Sequence, residues 1–307
     1  MFLRYLSGRL LRMALVVFGA VSIVFLIMHL TPGDPTLLLL PENPPPEVAA
    51  RLRAAWGLDQ PIHVQYLVFL GRAFRGDLGM SIYHSAPAVQ VALERIPATV
   101  QLTFFGVMFS LAVAVPLGVL AATHQNSLLD YLSRVIALLG QSMPAFWLGL
   151  ILMLFFGVYL GVLPVSGRGE PTGFVLPTVT LGAYLLAIVM RLTRSEMLGV
   201  LREDFVRTAR SKGLAERAVI YGHALKNVLI PLITVVGLQF GTLLGGAVVT
   251  ETIFAWPGVG RLIMDSVLTK DYPVVQASIL IVTILLVTVN LITDLIYGYV
   301  DPRVRLG

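Results

Sequence analysis

Not one of the 307 residues is a cysteine. Disulfides, thiol nucleophiles and Cys-ligated metals are therefore excluded. Charge is scarce too. Only 13% of the residues are Asp, Glu, Lys or Arg, where a soluble domain carries about 25%. Hydrophobic residues make up 57%, so most of the chain belongs in a membrane. The three lysines, Lys212, Lys226 and Lys270, follow Ser211, Leu225 and Thr269, never glycine. A phosphate loop needs Gly-Lys-Ser/Thr so that backbone amides and a lysine hold the phosphates. This chain therefore has no such ATP site, and any energy from ATP must enter through another subunit. His29, His63, His84, His124 and His223 include no pair three or four apart, so a helical metal pair is absent. Ser166, in LPVSGRG, lacks the first glycine of a nucleophile elbow. An intramembrane hydrolase is disfavoured for want of a nucleophile and base. No metal, no cofactor held by this chain and no catalytic residue is expected.

What remains is organised by apolar runs. A bilayer crossing takes roughly 20 mostly apolar residues. Six segments qualify, at about 10–30, 99–122, 132–160, 176–193, 228–250 and 274–297. Arg4, Arg9 and Arg12 precede the first, as in a signal peptide, but no A-x-A-like cleavage site follows. It reads as a retained helix starting in the cytoplasm. The expected fold is an all-α polytopic membrane protein of about six spans. Its parts are an N-terminal end and first span (1–30), an outer loop region (31–98), a five-span core (99–300) and a cytoplasmic tail (301–307). The outer loop carries TPGDP (31–35), PENPPPEV (41–48), an amphipathic piece at 47–58 and GDLGMS (76–81). Its Pro and Gly punctuation predicts short helices and turns.

Lysine and arginine set the orientation. With the N-terminus inside, 14 of the 22 Lys and Arg and 7 of the 17 Asp and Glu fall on the inner side. That is a net +7 within and −2 without. The one-sided distribution speaks for a membrane lipid surface and against nucleic acid as the source of the net +5.

The longest polar insert is RLTRSEMLGVLREDFVRTARSKGLAERAVIYGHALKN, residues 191–227. Leu201, Phe205 and Ala209 form one apolar stripe. Leu214, Ala218, Tyr221 and Leu225 step by four, three and four, as one face of an α-helix does. Gly213 between them permits a bend. Two short helices on the inner face can dock a soluble partner or rest on anionic headgroups.

Three further features stand out. Gly237, Gly241 and Gly245 lie four apart, on one helix face, where another backbone can approach closely. That face serves ordinary packing, or a pathway or subunit interface. Glu251, Asn290 and Asp294 are polar near membrane depth. Such residues suggest an ion or proton relay; near span ends, structural contacts serve as well. A proton-coupled secondary transporter using Glu251 and Asp294 is the rival of a different class.

The 191–227 segment resembles the cytoplasmic EAA loop of permease subunits of ATP-binding-cassette importers. Arg207-Thr208-Ala209, three residues and Gly213 stand at Glu-Ala-Ala and its following glycine; His223-Ala224-Leu225-Lys226 follows where relatives have Ile-x-Leu-Pro. Arg replaces Glu and Lys replaces Pro. The dipeptide, oligopeptide and nickel branch is similar nearly end to end: TPGDP, GLDQP (57–61), GDLGMS, SMPAFWLGL (142–150), LPVSG (163–167), LPTVTLG (176–182), RLTRSEML (191–198), GLQFGTLLGGAVVTETIFAWPGVGR (237–261), DYPVVQA (271–277) and DPRVR (301–305). The resemblance implies a type I importer permease of the MetI-like fold. It implies a homologous second permease, two cytoplasmic ATPases holding ATP and Mg, and a substrate-binding protein outside. It implies alternating access, with Arg207, Thr208, Ala209, Arg210, Lys212 and Gly213 in ATPase coupling and Leu214 and Tyr221 as apolar anchors. Dipeptides, oligopeptides, glutathione and nickel are all substrates of such permeases.

Overall fold

The computed structural model describes residues 2–30, 59–170 and 172–300, with positions 47 and 54. The rest of 31–58 and the tail 301–307, which hold several of the predicted motifs, lie outside the described residues. Among those described there is no sheet. The one extended pairing is an isolated bridge between Met80 and Pro87.

The helices follow in order: α1 (Phe2–Leu30), α2 (Ile62–Phe74), α3 (Ala88–Thr123), α4 (Leu128–Ser142), α5 (Ala145–Leu152), α6 (Val175–Val200), α7 (Asp204–Ser211), α8 (Leu225–Ile253), α9 (Val259–Leu268) and α10 (Tyr272–Val300). Seven-residue π-helical stretches extend α5 through Met153–Tyr159 and precede α8 over Ala218–Ala224. Among the described residues, five helical segments are long and apolar enough to cross a bilayer: Ser7–Ile27, Ala88–Thr123, Val175–Val200, Ala218–Ile253 and Tyr272–Thr293. The bent pair α4–α5 makes a sixth if counted as one broken span.

That pair refines the expectation of a crossing over about 132–160: the segment is bent, either one broken span or a re-entrant loop. The two arms meet at 111°. The cause is local: the ring of Pro144 disfavours a helical conformation at the residue before it. Met143 is accordingly extended (φ −83°, ψ 126°), and so is Pro144 (φ −60°, ψ 136°). Each arm still closes its own ladder, with Met143 N bonded to Leu139 O at 3.0 Å and Leu148 N to Pro144 O at 3.1 Å.

The chain falls into two compact units. One comprises Met1–Pro97 and Gly258–Val287. Here α2 lies along α1: Ser22 Oγ meets Tyr66 Oη at 2.6 Å, and Phe25 stacks on Phe69 with centroids 5.4 Å apart. Leu78, Ala88, Val91, Leu262, Val274 and Ala277 form its core. The buried Ser81 hydroxyl donates to Asp271 Oδ2 at 2.5 Å, fixing the GDLGMS turn to the start of α10. So residues 62–87 carry a helix and a turn, as the glycine punctuation of GDLGMS predicted.

The second unit comprises Ala98–Pro257 and Thr288–Gly307. Its core gathers Leu102, Leu185, Met190, Val228, Leu243 and Trp256. The central helix is α6, approached on two sides by glycines. A Cβ on Gly118 of α3 would lie 2.6 Å from Thr193 Cβ, and one on Gly140 of α4 would lie 2.9 Å from Ala187 Cβ. Close packing of this kind replaces the hydrophobic driving force that lipid removes.

Candidate functional site

The polar insert narrows once the helices are drawn. α6 runs on to Val200, and α7 begins four residues later, at Asp204. A turn joins them, with Arg202 N bonded to Gly199 O and Glu203 N to Val200 O, both at 3.1 Å. Val206 and Ala209, one turn apart on α7, are buried against Val219, with Val200 and Leu201 beside them. This small core seats α7 on the foot of α6.

The candidate residues divide by what they touch. Arg207 lies 3.4 Å from Asp204, and both side chains are almost fully in solvent. Lys212 is exposed. Phe205, Leu214 and Tyr221 are exposed by 41%, 42% and 45%, so this turn presents apolar groups among its cations. Thr208 Oγ1 donates back to Asp204 O at 2.9 Å. Ala209 faces inward and serves packing. Arg210 is committed within the turn: its Nε and Nη2 donate to the two Glu216 oxygens at 3.1 and 2.7 Å. That hydrogen bond, more than charge attraction, holds the Glu216 carboxyl below its ordinary value of 4.5. Gly213 has φ +75°, the left-handed region. Lys212 N bonds Thr208 O at 3.1 Å and Gly213 N bonds Arg210 O at 2.9 Å, closing the helix end.

The second predicted stripe needs correction. Residues 218–224 are π-helical, and the buried residues are Val219, Ala224 and Val228. The step of five belongs to i→i+5 geometry. Spacing by four, three and four assumes an α-helix, so it selected Leu214, Ala218 and Tyr221, which face out.

Sequence reading missed a buried ionic cluster above this turn. Asp130, in the first turn of α4, is 0% exposed. Its Oδ1 accepts from Arg194 Nε at 2.6 Å, and its Oδ2 from Arg194 Nη2 at 2.9 Å, Arg134 Nη2 at 3.2 Å and Asn126 N at 3.0 Å. Asn126 takes φ +62°, which Asn tolerates. The visible signals were local: Ser127 as N-cap and Asp130–Arg134 at i, i+4. The partner that matters, Arg194, lies 64 residues away.

The glycine stripe does not act as one seam within this chain. A Cβ on Gly237 would collide with the Thr293 side chain of α10, Gly241 is half-buried, and Gly245 is exposed with nothing within 4 Å. Glu251 is fully buried and accepts a hydrogen bond from Thr99 Oγ1 at 2.5 Å. Beside it, Trp256 Nε1 donates to Ala98 O at 2.9 Å. These contacts tie the C-terminal end of α8 to α3. Asn290 is half-buried on α10. The side chain of Asp294 lies outside the described residues.

Residues 114–306 match the family described as the binding-protein-dependent transport system inner membrane component, and residues 2–103 match its N-terminal component. The chain belongs to this family. It is 42% identical to the dipeptide transport system permease protein DppB of Alkalihalophilus pseudofirmus, over 99% of each chain. It is 40% identical to the glutathione transport system permease protein GsiC of Salmonella paratyphi A, again over 99% of each. A solved structure described as inward facing conformations of the MetNI methionine ABC transporter shares the fold. The TM-score is 0.54 at 19% identity, with 69% of this chain and 97% of that one covered. As a member of the permease family, the chain is a multi-pass inner-membrane transport component. The proton-carrier rival gains no support from these matches, which are to binding-protein-dependent transport permeases.

Proposed function

We propose that this chain is one of two homologous permease subunits of an ATP-driven importer. In this reading it forms half of the pathway for dipeptides, oligopeptides or a related small solute handed over by a substrate-binding protein. ATP and Mg are held by two cytoplasmic ATPase subunits, whose stroke enters through α7 and the turn after it. Both termini and this turn face the cytoplasm. The carrying observation is that a buried core seats α7 on α6 while Phe205, Leu214 and Tyr221 stand exposed among Arg207 and Lys212. Exposed apolar groups on a firmly held polar turn suit a protein partner. The peptide class rests on the printed names of relatives that match over their whole length.

Reconstitution of the complete complex with its binding protein in liposomes tests this. Gly213→Pro cannot adopt the φ of +75°. Arg207→Glu reverses an exposed charge and leaves the buried core of α7 intact. Each is expected to leave membrane insertion normal and to lower substrate-stimulated ATP hydrolysis and uptake together, by about tenfold, the equivalent of 1.4 kcal/mol of lost coupling. Full ATP-dependent uptake by both variants would sink the coupling role. Uptake by this chain alone, without any ATPase, would sink the reading altogether.

A further inference from the structure

Resting on that reading, we propose that Asp130 and Arg194 are a positioning pair for transport. They make the bent hairpin α4–α5 move with α6 when a partner displaces α7. Three observations lead there. The first is the line of contact from the docking turn inward. α7 is seated on Val200 and Leu201. Arg194 stands six residues before Val200, the last residue of α6, about 9 Å further along it at 1.5 Å per residue. A push on α7 therefore reaches the Arg194 end of α6 through continuous helix.

The second is the form of the pair. Arg194 grips Asp130 with two nitrogens on two oxygens, at 2.6 and 2.9 Å. A planar fork on a carboxylate fixes direction as well as distance. Arg134 and the Asn126 amide take further lone pairs on Oδ2. A buried carboxylate with four donors holds one orientation. It fixes the start of α4 both along α6 and in rotation about it.

The third is independent of charge. Further along, Gly140 lies against Ala183 and Ala187 of α6, where a Cβ would sit 3.0 Å from Ala183 O and 2.9 Å from Ala187 Cβ. In the second arm, Gly149 lies against Thr180, with a Cβ 3.2 Å from its Cγ2. The hairpin thus follows α6 from Arg194 down to Thr180. Apolar packing of small residues can slide, whereas a forked ion pair cannot. The pair sets the register and the glycines allow close contact.

The experiment uses the full complex in liposomes and reads peptide imported per ATP hydrolysed, with assembly and basal hydrolysis measured alongside. Arg194→Lys keeps the charge and loses the fork. Asp130→Asn keeps the shape and loses the charge. Wild-type complex that shows no ATP-driven import would overturn the proposed function itself, before any variant is compared. Given wild-type import, both variants are expected to assemble with the ATPases and hydrolyse ATP. The import-to-ATP ratio should fall, by about fivefold or more for Asp130→Asn, the lower end of ordinary coupling effects, and less for Arg194→Lys. A pair that only anchors the fold would change yield, with import and hydrolysis falling in proportion. An unchanged ratio in assembled complex therefore overturns the proposal. Should Asp130→Asn fail to assemble, the ratio for Arg194→Lys decides alone.

Discussion

Gly237 fixes how near α8 comes to the last turns of α10 in this unit, because any Cβ there would collide with the Thr293 side chain. Gly237→Leu is thus an overpacking substitution, expected to cost about 1–3 kcal/mol and to lower the yield of folded protein. Gly245→Leu meets nothing within 4 Å, so the isolated chain should keep its thermal midpoint. If the latter variant alone impairs assembly with the second permease, that end of the stripe is a subunit contact; normal assembly makes it a lipid face. Glu216 offers a test of a different kind. Its carboxyl is held below 4.5 when folded, chiefly by the Arg210 hydrogen bond. A lowered folded value means the pair stabilises the turn above pH 4.5, and that contribution is lost as the pH falls through the folded value. The thermal midpoint of Glu216→Gln should therefore lie slightly below wild type at neutral pH. The gap should close in acid, and a gap independent of pH would contradict the assignment.

At the scale of elements, α7 shows what pattern reading reaches and where it stops. The bend at Gly213 was legible, because a left-handed turn selects glycine; the stripe Leu201, Phe205 and Ala209 was not, since Ala209 is buried beside Val206 while Phe205 is exposed. The inward residues of 218–224 were not, since π-helical geometry is written in backbone hydrogen bonds and leaves no mark on side-chain spacing. The break between α4 and α5 was legible in principle: Pro144 stood in the run, but an apolar stretch of that length outweighed it. The Asp130–Arg194 pair required knowing that α4 and α6 are neighbours, which no local pattern supplies. The seating of α7 is itself testable. Ala209→Leu would overfill the core formed with Val206 and Val219, at about 1–3 kcal/mol. Thr208→Ala at the exposed neighbouring position should stay within about 0.5 kcal/mol. Limited proteolysis of 201–217 should accelerate in the first variant and not in the second. Equal rates would mean that α7 is not held by that core.

For the whole molecule, apolar runs gave the number of crossings to within the one broken span, and the charge distribution predicts an orientation that thiol labelling can measure. The inner side gathers a net +7 when the N-terminus is placed inside, against −2 outside, and short loops rich in Lys and Arg stay in the cytoplasm. The 31–98 region carries Arg51, Arg53, Arg72, Arg75 and Arg95, and a stretch of that length can be translocated regardless of its charge. A chain without cysteine allows a direct test. Ser211, at the end of α7, and Ser85, in the turn before α3, are both exposed, so a thiol at either reports the side of the membrane and not its own burial. In intact cells an impermeant thiol reagent should label Ser85→Cys and spare Ser211→Cys, and permeabilised cells should label both. The reverse pattern would place α7 outside. No cytoplasmic ATPase could then reach Arg207, Leu214 or Tyr221, and the coupling function proposed for the turn would fall with the orientation.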